Sequence, residues 1–550
     1  MRKKKLIIFG ALSLLIILPL LFIKITVYPA PNLPEIRTQH AQRETIDPTT
    51  FRYKNNWLRK NKSGNWESYI EGTPYERGIA LGVLQKELIQ SQEKAFVGEI
   101  ENLISSRFLR TMMQLGIAWF NRNLDECIPE EYLQEIYAVS QSFSDEYSYV
   151  GPKYNRVLNY HAAHDIGHMA QNMNLVACTA IAQWEVRKET SEMVVGRNFD
   201  FYFGDEFAKD KIVQFVNPSE GYDFISVTWG GFSGVVSGMN EMGLTVTLNA
   251  LPSELPTKSS TPVSIIAREV IQYAATIEEA YEIISKYEVF VSESFTIASA
   301  LDKKAAVIEK TPEKTEIYFP QENRLIVANH FQSEEFKNSQ LNLDHIRDSE
   351  SMPRFERMKQ LADGDSSISV DNTLRYLRDQ KGVDKQDLGI GNPMAINQLL
   401  AHHSVLFEPL KGLMYVSAAP FQENVFNAYD VNSIRKMGSF DPVNSPEIDS
   451  LRLAQDSFYT NKGFSNYIEY KLLKVEFKEN PNQKADENGF IEKWIATNPE
   501  YYEPYLLLAD FYFEQDDFAS AKTYYQKAQS KAIPYRGIST HIIENLTKIK

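Results

Sequence analysis

The pattern of apolar and polar positions changes character three times along the chain. An apolar run from Leu6 to Ile23 follows the cluster Arg2-Lys3-Lys4-Lys5. At about 1.5 Å per helical residue, this run is long enough to cross the hydrocarbon core of a bilayer. Pro31 to Asn55 is polar and reads as a linker. From Trp57 to Asn174 apolar residues recur at three- and four-residue spacing, clearest in Tyr75–Gln90, Lys94–Ser106, Phe108–Asn121 and Glu130–Ser142. This spacing predicts a helical leading segment.

At Cys178 the period shortens to two. Thr179–Val186 and Met193–Phe199 read as strands around the polar turn Arg187–Glu192, with further strands at Ile212–Val216, Phe224–Thr228, Val235–Gly238 and Leu244–Leu248. Two amphipathic helices, Val263–Ala274 and Ile277–Lys286, precede strands at Phe295–Leu301, Ala305–Lys310, Lys314–Phe319 and Leu325–Ala328. Helices over Met352–Asp363 and Val370–Gln380 lead to a late hairpin, Ser404–Glu408 with Leu413–Ser417. Strand groups separated by helix pairs predict stacked sheets with helices on their outer faces. In the tail, Leu508, Ala509, Tyr512, Ala521, Tyr525 and Ala528 occupy the small and aromatic positions of a tetratricopeptide-like helix pair. A lone repeat buries no continuous core, so this unit is either a packed accessory or a module for a protein partner.

The expected organisation is an anchor over residues 1–29, a linker over 30–56, a helical leading segment over 57–177, a sheet-rich core over 178–420, a connecting segment over 421–489 and the helical tail over 490–550. The basic cluster before the apolar run favours export of everything that follows. The stretch from Lys24 to Pro31 lacks a small-x-small cleavage site, so a retained membrane anchor is expected. A formal net charge of −14 with no basic patch beyond the extreme N-terminus argues against nucleic acid as a partner. Only Cys127 and Cys178 are available, so an exported chain of this size rests on its hydrophobic core, and a lone thiol invites a reactive role.

The stretch Ala177-Cys178-Thr179-Ala180-Ile181 followed by Gly196-Arg197-Asn198-Phe199-Asp200 places a thiol, a cation and a carboxylate on two strands of one hairpin. The cation can lower the thiol pKa, and the carboxylate can orient a neighbouring amine. By themselves these residues fit equally a buried structural cysteine beside an ion pair. His161, His164 and His168 with Asp165 stand at helical spacing before Cys178, but the glutamate of a zincin motif is missing, and no metal or cofactor is implied. His330 as a papain-like base is disfavoured, because such a cysteine should open a helix and β-prone residues follow this one.

The same residues resemble the nucleophile strand and following strand of acid ceramidase and N-acylethanolamine acid amidase. Gly238-Met239-Asn240-Glu241-Met242-Gly243-Leu244, shortly before Asn249, resembles the choloylglycine hydrolase and penicillin V acylase pattern. Ala328-Asn329-His330-Phe331, Arg354-Phe355-Glu356-Arg357 and His403-Ser404-Val405-Leu406-Phe407-Glu408-Pro409 follow in family order, the last two resembling the isopenicillin-N acyltransferase group. The resemblance spans under half of the chain. It implies an α+β fold, a four-layer αββα N-terminal nucleophile sandwich, here with a helical N-terminal segment and a helical tetratricopeptide-like tail. It also implies self-cleavage between Ala177 and Cys178, with Cys178 as nucleophile of a linear amide hydrolase or acyltransferase acting on an N-acyl amide; tethering at a membrane favours a lipophilic acyl group, and a non-catalytic tethered scaffold that binds partners through the helical tail is the alternative of a different class. Arg197 would hold the thiol environment cationic, Asp200 would fix the new α-amine, Asn329 and Asn249 would supply oxyanion donors, and Arg354 would support the cluster. Two departures stand out: the hairpin before Arg197 is longer than in the ceramidase-like enzymes, and Ala180 replaces their serine.

Overall fold

The computed structural model describes residues 20–34, 41–169, 176–186, 191–256 and 258–549. Among these, seventeen strands form two sheets. The larger has the order β1-β2-β3-β4-β7-β8-β9-β10-β11-β12-β13. Its strands are β1 (Glu44–Asp47), β2 (Thr50–Tyr53), β3 (Asn56–Lys60), β4 (Trp66–Gly72), β7 (Ile212–Pro218), β8 (Phe224–Thr228), β9 (Ser237–Asn240), β10 (Leu244–Ala250), β11 (Glu293–Ser299), β12 (Lys304–Lys310) and β13 (Thr315–Tyr318). The smaller runs β14-β5-β6-β15-β16-β17, with β14 (Arg324–Val327), β5 (Val176–Glu185), β6 (Glu192–Phe201), β15 (His403–Glu408), β16 (Leu413–Ser417) and β17 (Phe426–Asp430).

Period-two alternation assigns each face of these strands. On β5, Ala180, Ala182 and Trp184 enter the core between the two sheets, opposite Val213, Phe215 and Val307 of the larger sheet. Ile181 points the other way, into the layer formed by Met358, Leu374 and Leu377 of the helices Ser351–Asp363 and Val370–Leu377. Gly196 on β6 lets the second of these helices approach: a Cβ there would lie 2.5 Å from Thr373 Cγ2. The outer face of the larger sheet packs on Val263–Tyr273 and Ile277–Lys286, whose first turn is closed by a Thr276/Glu279 capping box. Helix, sheet, sheet and helix thus form the four layers expected from the sequence.

Several boundaries differ from the pattern reading. The polar stretch assigned to a linker contains the hairpin β1–β2, which pairs antiparallel with β3. β2 is paired on both sides and β1 on one, and these short, largely polar strands leave no apolar signature. The leading segment opens with β3 and β4 before its helices begin, and β4 pairs in parallel with β7. It is therefore part of the sandwich, because sheet closure recruits a distant strand that periodicity cannot announce. The core does not close near Pro420, since β17 pairs with β16. Residues 421–489, expected to connect, include the helix Lys462–Glu479, whose Tyr467, Tyr470, Leu473 and Phe477 share a core with Trp494 and Tyr501. In the tail, Glu503–Glu514 and Phe518–Gln529 pack as expected, burying Leu508 and Ala509 of the first and Ala521, Tyr525 and Ala528 of the second.

Most of the expected anchor lies outside the described residues. Residues 20–26 are helical, and among the described residues no helix is long and apolar enough to cross a membrane. The helix Arg107–Phe120 buries none of its residues, leaves Phe108, Leu109, Met112 and Trp119 exposed, and stacks Trp119 on Phe22.

Candidate active site

Cys178 is the third residue of β5 and so does not open the strand, because pairing with β6 begins at Val176 opposite Phe201. It stands opposite Phe199 and shares the inter-sheet face with Ala180, which is paired with Arg197. The hairpin register therefore delivers the guanidinium to the thiol. Arg197 Nη2 lies 3.4 Å from Cys178 Sγ and also donates to the Leu248 carbonyl, while Nη1 donates to Ser237 Oγ at 2.8 Å. The guanidinium stacks on Phe199, 4.1 Å from the ring centroid. Every one of these groups is buried.

Burial decides the state of the thiol. The sequence suggests that a neighbouring cation would lower the Cys178 pKa; instead burial pushes it up to about 11, with Arg197 opposing and Asp200 and Glu293 adding to the rise. One guanidinium does not compensate for taking a thiolate out of water. The sulfur is therefore a protonated thiol at neutral pH.

The peptide around Cys178 is clamped from the other face. Its N–H donates to Asn329 Oδ1 at 3.0 Å. Its carbonyl accepts from Arg354 Nη1 at 2.6 Å, and the same nitrogen donates to Thr179 Oγ1 at 2.7 Å. Arg354 Nη2 donates to Asn329 Oδ1 at 2.8 Å and to Glu350 Oε1 at 3.1 Å. Since arginine only donates, these contacts fix which end of the Asn329 amide is oxygen. The Asn329 Nδ2 donates one hydrogen to the Ala250 carbonyl at 2.8 Å, leaving a second N–H for a ligand. Asn249 is placed differently: its Nδ2 donates to the Ala328 carbonyl at 3.1 Å and ties β10 to the end of β14. That contact holds the Asn329 loop in place.

Asp200 stands opposite Ala177 in the register, on the face away from the sulfur. Neither of its carboxyl oxygens has a hydrogen-bond partner among the described residues. Burial pushes its pKa up to about 7 against the pull of Arg354 and Arg197. An unpartnered carboxylate beside the Ala177–Cys178 bond is costly unless a cation arrives there.

Pattern reading missed several supporting groups. Ser237, a small polar residue in a strand, gives no sequence signal, yet its Oγ links Arg197 to His403 Nε2 at 2.9 Å, and His403 Nδ1 meets His402 Nδ1 at 2.9 Å. Ser351 holds the Asn329 N–H and His330 Nδ1, each at 2.8 Å. His330 is thereby committed to Ser351, and burial pushes its pKa down to about 4. His161 bonds the Val157 carbonyl through Nδ1 and accepts the Ser233 N–H at Nε2, so neither ring nitrogen is available to a metal. The side chains of His164 and His168 lie outside the described residues. Cys127 and Cys178 are both free thiols.

A cavity of about 700 Å³ opens in front of this cluster, with Ala177, Ala250 and Asn329 on its inner side. The two stacked sheets with helices on both outer faces form a four-layer αββα architecture, with Cys178 near the start of an inner strand. A family model described as acyl-coenzyme A:6-aminopenicillanic acid acyl-transferase matches residues 186–389, a span that contains Arg197, Asp200, Asn249, Asn329 and Arg354 and begins just after Cys178. Over this span the chain is similar to that family. An uncharacterized protein of Archaeoglobus fulgidus is 24% identical over 274 residues, covering 46% of this chain and 44% of that protein's length. Among solved structures, a Caenorhabditis elegans N-acylethanolamine-hydrolyzing acid amidase ortholog is 18% identical with a TM-score of 0.31, covering 42% of this chain and 93% of the other. A mutant of conjugated bile acid hydrolase from Clostridium perfringens is 14% identical with a TM-score of 0.33, covering 49% and 95%. Penicillin V acylase from Agrobacterium tumefaciens is 16% identical with a TM-score of 0.32, covering 46% and 86%.

Proposed function

We propose that the chain cuts itself between Ala177 and Cys178 and then hydrolyses a linear N-acyl amide through a thioester on Cys178. The observation that carries this reading is the double clamp on Cys178, with Asn329 and Arg354 holding its peptide groups while Arg197 holds its sulfur. In the first stage Sγ attacks the Ala177 carbonyl carbon, the C–N bond breaks as the nitrogen gains a proton, and water hydrolyses the resulting thioester. The new α-amine forms where Asn329 Oδ1 already accepts the Cys178 N–H, and on the strand pair that carries the unpartnered Asp200. An α-amine with an ordinary pKa near about 7.7–8.0 is a base matched to neutral pH. This answers the difficulty of a thiol too buried to ionise: the proton leaves Sγ for the amine as the sulfur attacks the substrate carbonyl. The amine then passes that proton to the leaving nitrogen, and water releases the acid. The second Asn329 N–H serves the oxyanion; losing such a donor costs on the order of a hundredfold in rate.

The test is intact mass and N-terminal sequencing of the purified chain, with turnover of a panel of N-acyl amides. A fragment beginning at Cys178, absent from Cys178→Ala, is expected; a wild-type chain that stays whole and inert refutes the reading. Acyl transfer is the second reading, favoured by the description of the matched family model. Acyl transfer to an ordinary primary amine acceptor that saturates at low concentration and suppresses acid release would identify it. The membrane proposal rests on the basic cluster and apolar run at the N-terminus, and it is supported by the exposed apolar face of Arg107–Phe120 against Phe22.

A further inference from the structure

The cavity in front of Ala177 and Asn329 is closed on its far side by the C-terminal helices. Tyr470 and Lys474 from Lys462–Glu479, Tyr502 and Glu503 from the start of Glu503–Glu514, and Tyr535 beyond Phe518–Gln529 line that wall. We infer that this helical region supplies the specificity-determining wall of the substrate site, and that it selects a polar, ring-bearing amide over one with a long saturated acyl chain. The inference rests on the cysteine-dependent reading given above.

The wall is fixed to the core. Asn498 makes a reciprocal pair with Ile390, its Oδ1 accepting the Ile390 N–H at 2.9 Å and its Nδ2 donating to the Ile390 carbonyl at 2.8 Å. Asn392 Nδ2 donates to the Ala532 carbonyl at 3.0 Å, and Tyr467 OH to the Leu399 carbonyl at 3.2 Å. Gly389, at φ +78°, lies so close to Tyr501 that a Cβ would sit 2.4 Å from its backbone nitrogen. Such contacts give the cavity one shape, as a positioning wall requires.

The lining chemistry sets the substrate class. Lys474 Nζ contacts Glu503 Oε1 and Oε2 at 2.6 and 2.8 Å, and Tyr470 OH donates to the same carboxylate. On the near side Glu350 bonds Arg354, which holds the Cys178 carbonyl, and Tyr535 lies beside Glu350. The wall thus offers aromatic edges, hydroxyls and an ion pair. A saturated chain packed there would desolvate these groups and return no hydrogen bond. A ring with polar substituents meets both the aromatic and the polar surface.

The test compares acylation of Cys178 by two β-lactone probes, one bearing a phenyl group and one a hexadecyl chain, read by intact mass on the full chain. In the wild type the phenyl probe is expected to react at least tenfold faster. Tyr502→Ala and Lys474→Met, shown to be folded by thermal melting, are expected to cut that ratio at least fivefold, and Tyr502→Phe to restore it. A labelled wild type that favours the hexadecyl probe, or folded variants with an unchanged ratio, overturns the inference alone. A wild type that takes neither probe and remains uncut overturns the cysteine reading, and the inference falls with it.

Discussion

Arg354→Met removes a fully buried guanidinium that reaches four groups: the Cys178 carbonyl, Thr179 Oγ1, Asn329 Oδ1 and Glu350 Oε1. Methionine has a similar volume, so the perturbation is loss of donors and charge, not a cavity. Glu350 is itself buried, so it is left without its cation. Breaking a buried ion pair from one side typically costs about 3–5 kcal/mol. The magnitude belongs mainly to the orphaned carboxylate, and this can be separated experimentally. In a Cys178→Ala background, which removes the proposed nucleophile, urea unfolding is measured for Arg354→Met, Glu350→Gln and the double variant. Arg354→Met is expected to lose about 3–5 kcal/mol, and the double variant to be more stable than Arg354→Met alone, because the uncompensated charge has gone. Self-cleavage with Cys178 restored should be slowed in both Arg354 variants, since Asn329 loses the donor that fixes its amide. A loss below about 1 kcal/mol for Arg354→Met, the range of an exposed pair, would refute the reasoning.

Three further outcomes follow from the same geometry. Asp200 keeps its proton to about pH 7 in the folded chain but only to its ordinary value near 3.8 when unfolded. The uncut chain should therefore lose stability as pH rises through that interval, by at most about 1.4 kcal/mol per pH unit. Urea midpoints of Cys178→Ala should fall between pH 5 and pH 7.5, and Asp200→Asn should flatten the slope; an unchanged slope excludes this role. Arg197→Lys keeps the charge but loses the fork shared among Ser237, Leu248 and Cys178. It should slow self-cleavage in a mass-spectrometric time course and lower the melting temperature, and wild-type behaviour in both would show that charge alone suffices. If Arg107–Phe120 rests on a bilayer, Trp119 fluorescence should be quenched by brominated acyl chains in vesicles carrying the full chain, and Trp119→Phe should lose that component. Equal quenching in the two proteins would remove the helix from the membrane surface.

The short-range pattern of this chain was legible without coordinates wherever neighbouring residues decide the structure. Period-two runs marked β5 to β8 and β10 to β16 closely, and 3.6-residue periodicity marked the helices that cover them, because one-sided burial imprints its own spacing. The small and aromatic positions of the tail likewise foretold a packed helix pair. Ordered motifs pointed to Cys178, Arg197, Asn329 and Arg354, which do converge on one peptide. What lay beyond local pattern was everything set by distant partners. Polar β1 and β2 are strands because β2 pairs with β3 and β1 with β2, and this N-terminal group joins the larger sheet through the parallel pairing of β4 with β7. The thiol's protonation could not be read from the adjacent Arg197, since desolvation depends on all that surrounds the sulfur. Asn249 and Asn329 carry the same side chain, and only the tertiary arrangement gives one the Ala328 carbonyl and the other the Cys178 N–H. The position of the tail over the cavity was likewise decided by loop 388–400, whose glycines and asparagines seat helices remote in sequence. Sequence spacing encodes which face of an element is buried; it carries no record of what arrives to bury it.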